Sequence, residues 1–326
     1  MSNSSSDMPA GPWLMVLGMH RSGTSAVTGA LGALGFNTSH PDDRVDWPES
    51  NPEHWESVSL SVYDDNLLSD LGGSWEAPPD FPLNWEINAK VRRAPDPVPL
   101  VRRAYPDPGP LVWKDPRLCF LLPYWKRFLP KPLAAVLVWR SPLAVAISLQ
   151  KRDGMHLADG IALWERYNRS ALDHLVGLDT YVCNYEDILA DPSKAVISIA
   201  HWLRSLPQFV DYSSQWSHEN AAATIIEEPR SRPDDDNQLL LAQHQELIGR
   251  LTALEGGHRP LGVTPLKRES GWTTALLEAR GVSRTREFQT QLKNTQLQLD
   301  RLHESTSWRM TKPLRSLMYL IKKPGL

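Results

Sequence analysis

The sequence predicts an α/β fold: a three-layer, phosphate-loop-type domain with a mostly parallel central sheet, followed by a C-terminal helical extension. Three observations predict it. Short, wholly apolar runs ("WLMVL", "PLVW", "LAAVLVW") alternate with segments of helical period, as in a sheet covered on both faces. The first run ends in a glycine-spaced loop, Gly18 to Gly23, that opens a helix. From residue 266 the chain turns polar, with apolar residues recurring by fours and threes.

The 326 residues suffice for one large domain and an appendage. A hydrophobic fraction of 41% is globular, and a net charge of -3 exerts no general pull on nucleic acid. The 27 prolines and 13 tryptophans imply long irregular connections and aromatic-lined surfaces. Cys119 and Cys183 stand far apart and outside any CxxC pattern, which argues against a disulfide framework or a cysteine zinc site. The opening "MSNSSSDMPAG" has neither a basic nor a long apolar region, and no apolar run has the length of a membrane span. A cytoplasmic location is therefore expected.

Residues 1–11 are expected to be disordered, and 12–265 to form the α/β domain. "WLMVLG" reads as the first strand; Val27, Ala30, Leu31 and Leu34 then mark one face of a helix that Gly35 closes. Residues 37–110 are loop-rich, with a helix around Ser57–Leu71. "PLVWKDPR" gives a second strand and "LAAVLVW" a third, followed by a helix with Ser141 as N-cap and Pro142 as its first residue. A longer helix over His156–Val176 buries Leu157, Ile161, Trp164, Leu172 and Leu175. "TYVCNY" reads as a fourth strand, and "DPSKAVISIAHWLRSL" as a capped amphipathic helix. In residues 266–326, Phe288, Leu292, Thr295, Leu299 and Leu302 form a short heptad seam that points to a homodimer contact. The final stretch mixes Trp308, Leu314, Leu317, Met318 and Leu320 with Arg309, Lys312, Arg315, Lys322 and Lys323. That mixture suits a membrane surface at the inner face, a partner protein, or packing on its own domain.

The chemistry begins with "GMHRSGTS". Backbone N–H groups from Gly18 to Ser25, leading into a helix N-terminus, form an anion nest. A Walker loop would place Lys where Thr24 stands; the cation here is Arg21, inside the loop. Arg140 ends the third strand and Ser148 lies about two helical turns further, so an arginine and a hydroxyl can reach one phosphate.

Taken in order, "GMHRSGTS", "VWKDPR", "RSPLAVAISL" and "YEDI" resemble the sulfotransferase superfamily. The similarity is strongest to bacterial members with an R-S-G-T-S loop, and extends to the tyrosylprotein sulfotransferases. It covers roughly Trp13 to Leu206. The resemblance implies 3′-phosphoadenosine 5′-phosphosulfate as co-substrate, with no metal. Arg21, Ser22, Gly23, Thr24 and Ser25 would hold its 5′-phosphosulfate, and Arg140 and Ser148 its 3′-phosphate. Lys114 matches a lysine before Asp-Pro in the tyrosylprotein enzymes and is assigned to the sulfonate in the transition state. Asp115 and Arg117 are expected to fix the strand end as an ion pair.

"NPEHWES" resembles the N-P-x-G-Y-x-E run of the bacterial members, in which a general base follows the first helix. Glu56 is the first candidate here, His54 the second and His20 the third. Trp47, Trp55, Trp75 and Trp85 can stack on a sugar or aryl acceptor, or cap the core beneath the loops. Tyr185, Glu186 and Asp187 match a family motif and are read as structural, with Asp187 or Asp191 capping a helix. Arg230 and Arg232 can close over the nucleotide. The acceptor is expected to bear a hydroxyl or amine, with polysaccharide favoured because the S-x-S-W-R and P-L-R tail resembles bacterial surface-polysaccharide enzymes. Two other functions stay open: a P-loop kinase or NTPase, for which Asp115 would be the magnesium-binding acid, and a catalytically silent assembly module.

Overall fold

The computed structural model describes residues 8–44, 55–81, 84–225, 240–262 and 269–304. His54, Trp47, Arg230, Arg232 and the basic tail from residue 305 lie outside the described residues, as do the side chains of Phe288, Leu292, Leu299 and Leu302.

The chain runs β1 (Trp13–Leu17), α1 (Thr24–Leu34), α2 (Val58–Asp70), α3 (Ala89–Arg92), α4 (Val98–Ala104), β2 (Leu111–Lys114), α5 (Leu118–Trp125), β3 (Leu133–Trp139) and α6 (Pro142–Asp153). It continues with α7 (Leu157–Leu175), β4 (Asp179–Asn184), α8 (Tyr185–Ala190), α9 (Pro192–Arg204), α10 (His218–Ala223), α11 (Ala242–Ala253), β5 (Gly256–His258) and α12 (Gly271–Glu304). The five-stranded sheet has the order β2-β1-β3-β4-β5. Its first four strands are parallel, and β5 pairs antiparallel with β4.

Strand alternation divides the apolar residues between two cores. Trp13, Met15 and Leu17 of β1, with Trp113 of β2 and Leu137 of β3, face α2, α4, α5 and α7. Leu14 and Val16, with Val112, Val136 and Val138, face α1, α9 and α10. Both faces are covered, which is why these strands are apolar throughout, and each fully buried large side chain contributes about 1.5–3 kcal/mol. The aromatic excess serves the first core: Trp113 packs edge-on against Trp125, with ring centroids 4.6 Å apart. The Trp125 Nε1–H is satisfied by Asp64 at 2.9 Å.

This order places the site. The chain passes from β1 to β2 on one side of β1 and then to β3 on the other, so the strand order reverses at the carboxyl ends of β1 and β3, the position at which open α/β sheets take ligands. The phosphate loop leaves β1 there, and Arg140 leaves β3 there.

Two expectations about helix ends are corrected. Ser141 occupies the N-cap of α6, but its side chain makes no capping bond. Its N–H instead points to Glu186 Oε2 at 3.4 Å. Leu157 starts α7 half-exposed, whereas Ile161, Trp164, Leu172 and Leu175 are buried. Asp191 caps α9, accepting from the Lys194 N–H at 2.9 Å.

The compact units are Met1–Leu277 and Glu278–Leu326, so the first unit takes in the first turns of α12. The reason is Glu165 on α7, a fully buried carboxylate. It accepts from Arg169 Nε at 2.8 Å, Ser270 Oγ at 3.1 Å and Thr273 Oγ1 at 2.5 Å, with His244 Nε2 3.4 Å away. Burial alone would raise its pKa, but His244, Thr273 and Arg169 hold it down at about 2. Beside it, Arg166 forms a bidentate pair with Glu269. The first turn of α12 is thereby tied to α7. Among the described residues, no helix is long and apolar enough to cross a membrane.

Candidate active site

The loop after β1 is shaped by three residues in the left-handed or glycine-favouring region: Gly18 at φ 155°, Arg21 at 70° and Gly23 at 89°. Gly18 permits close approach, since a Cβ there would lie 2.3 Å from the Val138 carbonyl oxygen on β3. At Gly23 a Cβ would meet the Tyr185 ring at 2.2 Å. The loop is thus clasped between β3 and the start of α8. The hydrogen-bond ladder of α1 begins at the Val27 N–H, which donates to the Gly23 carbonyl at 3.2 Å, so the N–H groups of Thr24, Ser25 and Ala26 precede it at the helix start.

Ser22 lies inside the loop. Its N–H closes a turn on the Met19 carbonyl at 3.1 Å, and its hydroxyl is buried with no hydrogen-bond partner among the described residues. Its backbone donor is therefore spent on the turn. Thr24 is also buried, with its methyl against Gly18, so a lysine of Walker type is replaced by a packing residue.

Arg21 is held from two directions. Its Nε donates to Ser148 Oγ at 2.8 Å, and its carbonyl accepts from Arg140 Nη1 at 3.2 Å. The expected phosphate pair, Arg140 and Ser148, therefore converges on the loop arginine. Arg140 also pairs with Glu186, Nε to Oε1, at 3.1 Å, and lies 5.7 Å over the Tyr185 ring. Trp164 Nε1 donates to the Arg140 carbonyl at 2.8 Å and fixes the strand end. Glu186, expected to be only structural, is thus an acid paired with the arginine proposed for the phosphate. The signal for it was topological: Trp139 and Asn184 are register partners on β3 and β4, so the residues just beyond them meet.

On the other side of β1, Lys114 ends β2 with its side chain 2% exposed. Its Nζ donates to Ser25 Oγ at 3.1 Å and to Glu56 Oε1 at 2.5 Å. One ammonium therefore joins the end of the phosphate loop to the first candidate base. Arg117 Nη1 approaches Glu56 Oε2 at 3.8 Å, and Arg117 also binds Asp65 (2.6 and 2.9 Å) and Asp115 (3.1 Å). Asp115 takes Ser61 Oγ at 3.1 Å and the Arg117 N–H at 2.8 Å as well. Burial raises its pKa, as it does more strongly for Asp64 nearby. Both Asp115 oxygens are engaged in this way, Oδ1 by Arg117 and Oδ2 by Ser61. Among the described residues, no group of three or more His, Cys, Asp or Glu is arranged to hold a metal ion.

The third base candidate, His20, stacks on Trp75 at 4.4 Å and on Tyr167 at 5.8 Å. Its Nε2 is enclosed, without a partner among the described residues. Burial, then the charges of Arg117, Arg152, Lys114 and Arg21, lower its pKa well below the usual imidazole value, which keeps the ring neutral. Trp85 is buried against Phe81 at 5.0 Å and belongs to the core. Trp75 and Trp55 are half-buried and carry Arg152 and Arg44 over their rings, at 5.5 and 4.3 Å.

No protein-family model matches the chain, and no curated protein matches it. Among solved structures it is similar to the sulfotransferase domain from the Synechococcus PCC 7002 olefin synthase, with 17% identity, 83% of this chain and 95% of that chain covered, and a TM-score of 0.38. It is also similar to the sulfotransferase domain from the curacin biosynthetic pathway, with 13% identity, 83% and 98% covered, and a TM-score of 0.36.

Chemically, the arrangement offers two cations at opposite sides of a phosphate loop, Arg21 and Lys114, and a carboxylate, Glu56, in contact with one of them. It suits transfer of an anionic group to a nucleophile that must lose a proton.

Proposed function

We propose that the chain is a sulfotransferase that moves a sulfuryl group from 3′-phosphoadenosine 5′-phosphosulfate to a hydroxyl or amine acceptor, with a glycan as the preferred class. The observation that carries this reading is Lys114, whose ammonium touches both Ser25 at the loop end and Glu56. A developing charge on sulfur and a departing acceptor proton would then lie within reach of one side chain.

In this reading Arg21, the Ser22 hydroxyl, the Gly23 amide and the amides and hydroxyls of Thr24 and Ser25 surround the 5′-phosphosulfate, and Arg140 and Ser148 receive the 3′-phosphate. Glu56 takes the acceptor proton as the acceptor oxygen bonds to sulfur. The bond from sulfur to the bridging oxygen breaks, and adenosine 3′,5′-bisphosphate leaves. Arg21 meets charge on the bridging oxygen, and Lys114 meets charge on the sulfonate. A sulfonate carries less charge than a γ-phosphate, so side-chain cations and N–H groups suffice without a Walker lysine. The same reading places the protein in the cytoplasm, with the C-terminal tail as a contact for the inner membrane face or a second copy.

Calorimetric titration with 3′-phosphoadenosine 5′-phosphate in the absence of magnesium, with ADP and ATP as controls, tests the reading. Binding that depends on the 3′-phosphate is expected. Equal or tighter binding of ADP or ATP would overturn it.

A further inference from the structure

We propose that Asp43 is a positioning residue for Glu56, acting through Ser57, which follows it, and Ser59; this rests on Glu56 being the general base. The backbone at Glu56 is held on both sides. Trp55, just before it, has φ 55°, a left-handed conformation costly for a bulky residue. Such a conformation persists only where its surroundings impose it. Here the Trp55 carbonyl accepts from Ser39 Oγ at 3.3 Å. Its ring lies under the Arg44 guanidinium, and Gly29 of α1 leaves room for the indole, whose Nε1 would be 3.1 Å from an added Cβ.

Ser57, just after Glu56, caps α2 by accepting from the Leu60 N–H at 3.1 Å. Its hydroxyl hydrogen goes to Asp43 Oδ2 at 2.5 Å. Asp43 also accepts from Ser59 Oγ at 2.6 Å and from the Ser59 N–H at 3.3 Å, and is only 3% exposed. A single bridge between Arg44 and Ser57 joins the two segments through the backbone. Asp43 and Arg44 thus grip the two neighbours of Glu56 from one short turn, Pro41–Asp43. The carboxylate of Glu56 is left to project onto Lys114.

A buried acid that accepts three donors around one helix start fixes that start in a single geometry. Glu56 has to meet an acceptor proton within hydrogen-bond distance, and a displacement of about 1 Å costs about a hundredfold in rate. Loss of the Asp43 charge weakens the two serine contacts and loosens the segment without touching the loop, Arg140 or Ser148.

The test uses the full chain, with Asp43→Asn made alone and together with Glu56→Gln, and Ser59→Ala as a milder second variant should Asp43→Asn fold poorly. Asp43→Asn is expected to lower kcat about tenfold or more, while affinity for 3′-phosphoadenosine 5′-phosphate by calorimetry stays within about twofold. In the Glu56→Gln background the same change is expected to cost nothing further. Hydrogen exchange of the amides at 55–60 should quicken, and those of β2 should not. Unchanged kcat, an equal loss in the Glu56→Gln background, nucleotide affinity falling in step with turnover, or unaltered exchange would each overturn the proposal. A wild-type chain that transfers no sulfuryl group refutes the parent reading and this role with it, and is told apart because the failure appears before any substitution.

Discussion

Arg21 Nε donates to Ser148 Oγ across 127 residues of sequence, at 2.8 Å. With Arg140 Nη1 on the Arg21 carbonyl, this ties the phosphate loop to the end of β3 and to α6. Groups proposed to read the nucleotide's 3′-phosphate are therefore mechanically continuous with the residue proposed to meet the breaking bond.

Arg140→Ala should weaken binding of 3′-phosphoadenosine 5′-phosphate by about ten- to a hundredfold, the range for a hydrogen bond to a charged group. ADP, lacking the 3′-phosphate, should lose much less. Calorimetry with both nucleotides checks this, and equal losses would remove Arg140 from the phosphate site.

Lys114→Ala should lower kcat about a hundred- to a thousandfold, as expected for removal of a donor that meets transition-state charge. Nucleotide affinity should change about threefold or less, because Lys114 is assigned to the sulfonate in the transition state and touches Ser25 at the loop's end. Single-turnover kinetics beside calorimetry separates the two quantities. Turnover near the wild-type rate would assign Lys114 to structure alone.

Gly23→Ala and Gly154→Ala form a matched pair. Both glycines have positive φ, 89° and 69°, but an added Cβ meets the Tyr185 ring at Gly23 and nothing within 4 Å at Gly154. Gly154→Ala should cost about 1–2 kcal/mol for the left-handed backbone alone. Gly23→Ala should cost more and also displace the loop. Denaturant unfolding of both variants measures the difference; equal losses would mean that the contact with Tyr185 relaxes freely.

The two buried imidazoles should withdraw stability as the medium is acidified from neutrality. Burial lowers the pKa of His174 from 6.5 to about 4, and that of His20 well below 6.5. Below 6.5 the unfolded chain takes up these protons and the folded chain does not, so stability is complete above 6.5 and lost as pH falls toward 4. Glu165 behaves likewise in a lower window: its contribution is present above 4.5 and lost as pH falls through about 2. Asp64 and Asp115, whose pKa burial raises, act in the opposite sense, so the imidazole rings themselves are the check: NMR titration should show neither ring titrating between pH 7.5 and 5.5, and a midpoint near 6.5 would contradict their burial.

Much of this architecture was legible where the chain repeats a simple rule. Apolar runs covered on both faces marked β1, β2 and β3, and the loop before α1 announced itself by its glycines. Arg140 and Ser148 were found because a strand end and the next helix are close in sequence. The pairs that escaped are long-range: Arg140 with Glu186, Arg117 with Asp65, and Asp43 with Ser57. Each depends on strand register or on the path of an irregular segment, which local periodicity does not encode. Ser141 illustrates the converse. Its type and place before Pro142 promised a side-chain cap, but Glu186, arriving from the next strand, lies beside its N–H instead.

The tether between Glu165 and the start of α12 has a practical consequence for anyone dividing the chain. A cut after residue 265, which the sequence invites, would strip Ser270 and Thr273 from a carboxylate with no access to water. A buried acid stripped of its two hydroxyl donors, and left with Arg169 and His244, would then sit inside α7, the helix whose Trp164 holds the Arg140 carbonyl. Shortened versions meant for crystallisation or assay should retain the chain at least through Leu277; those that stop earlier should be recovered as aggregates, even though every residue assigned to catalysis is still present.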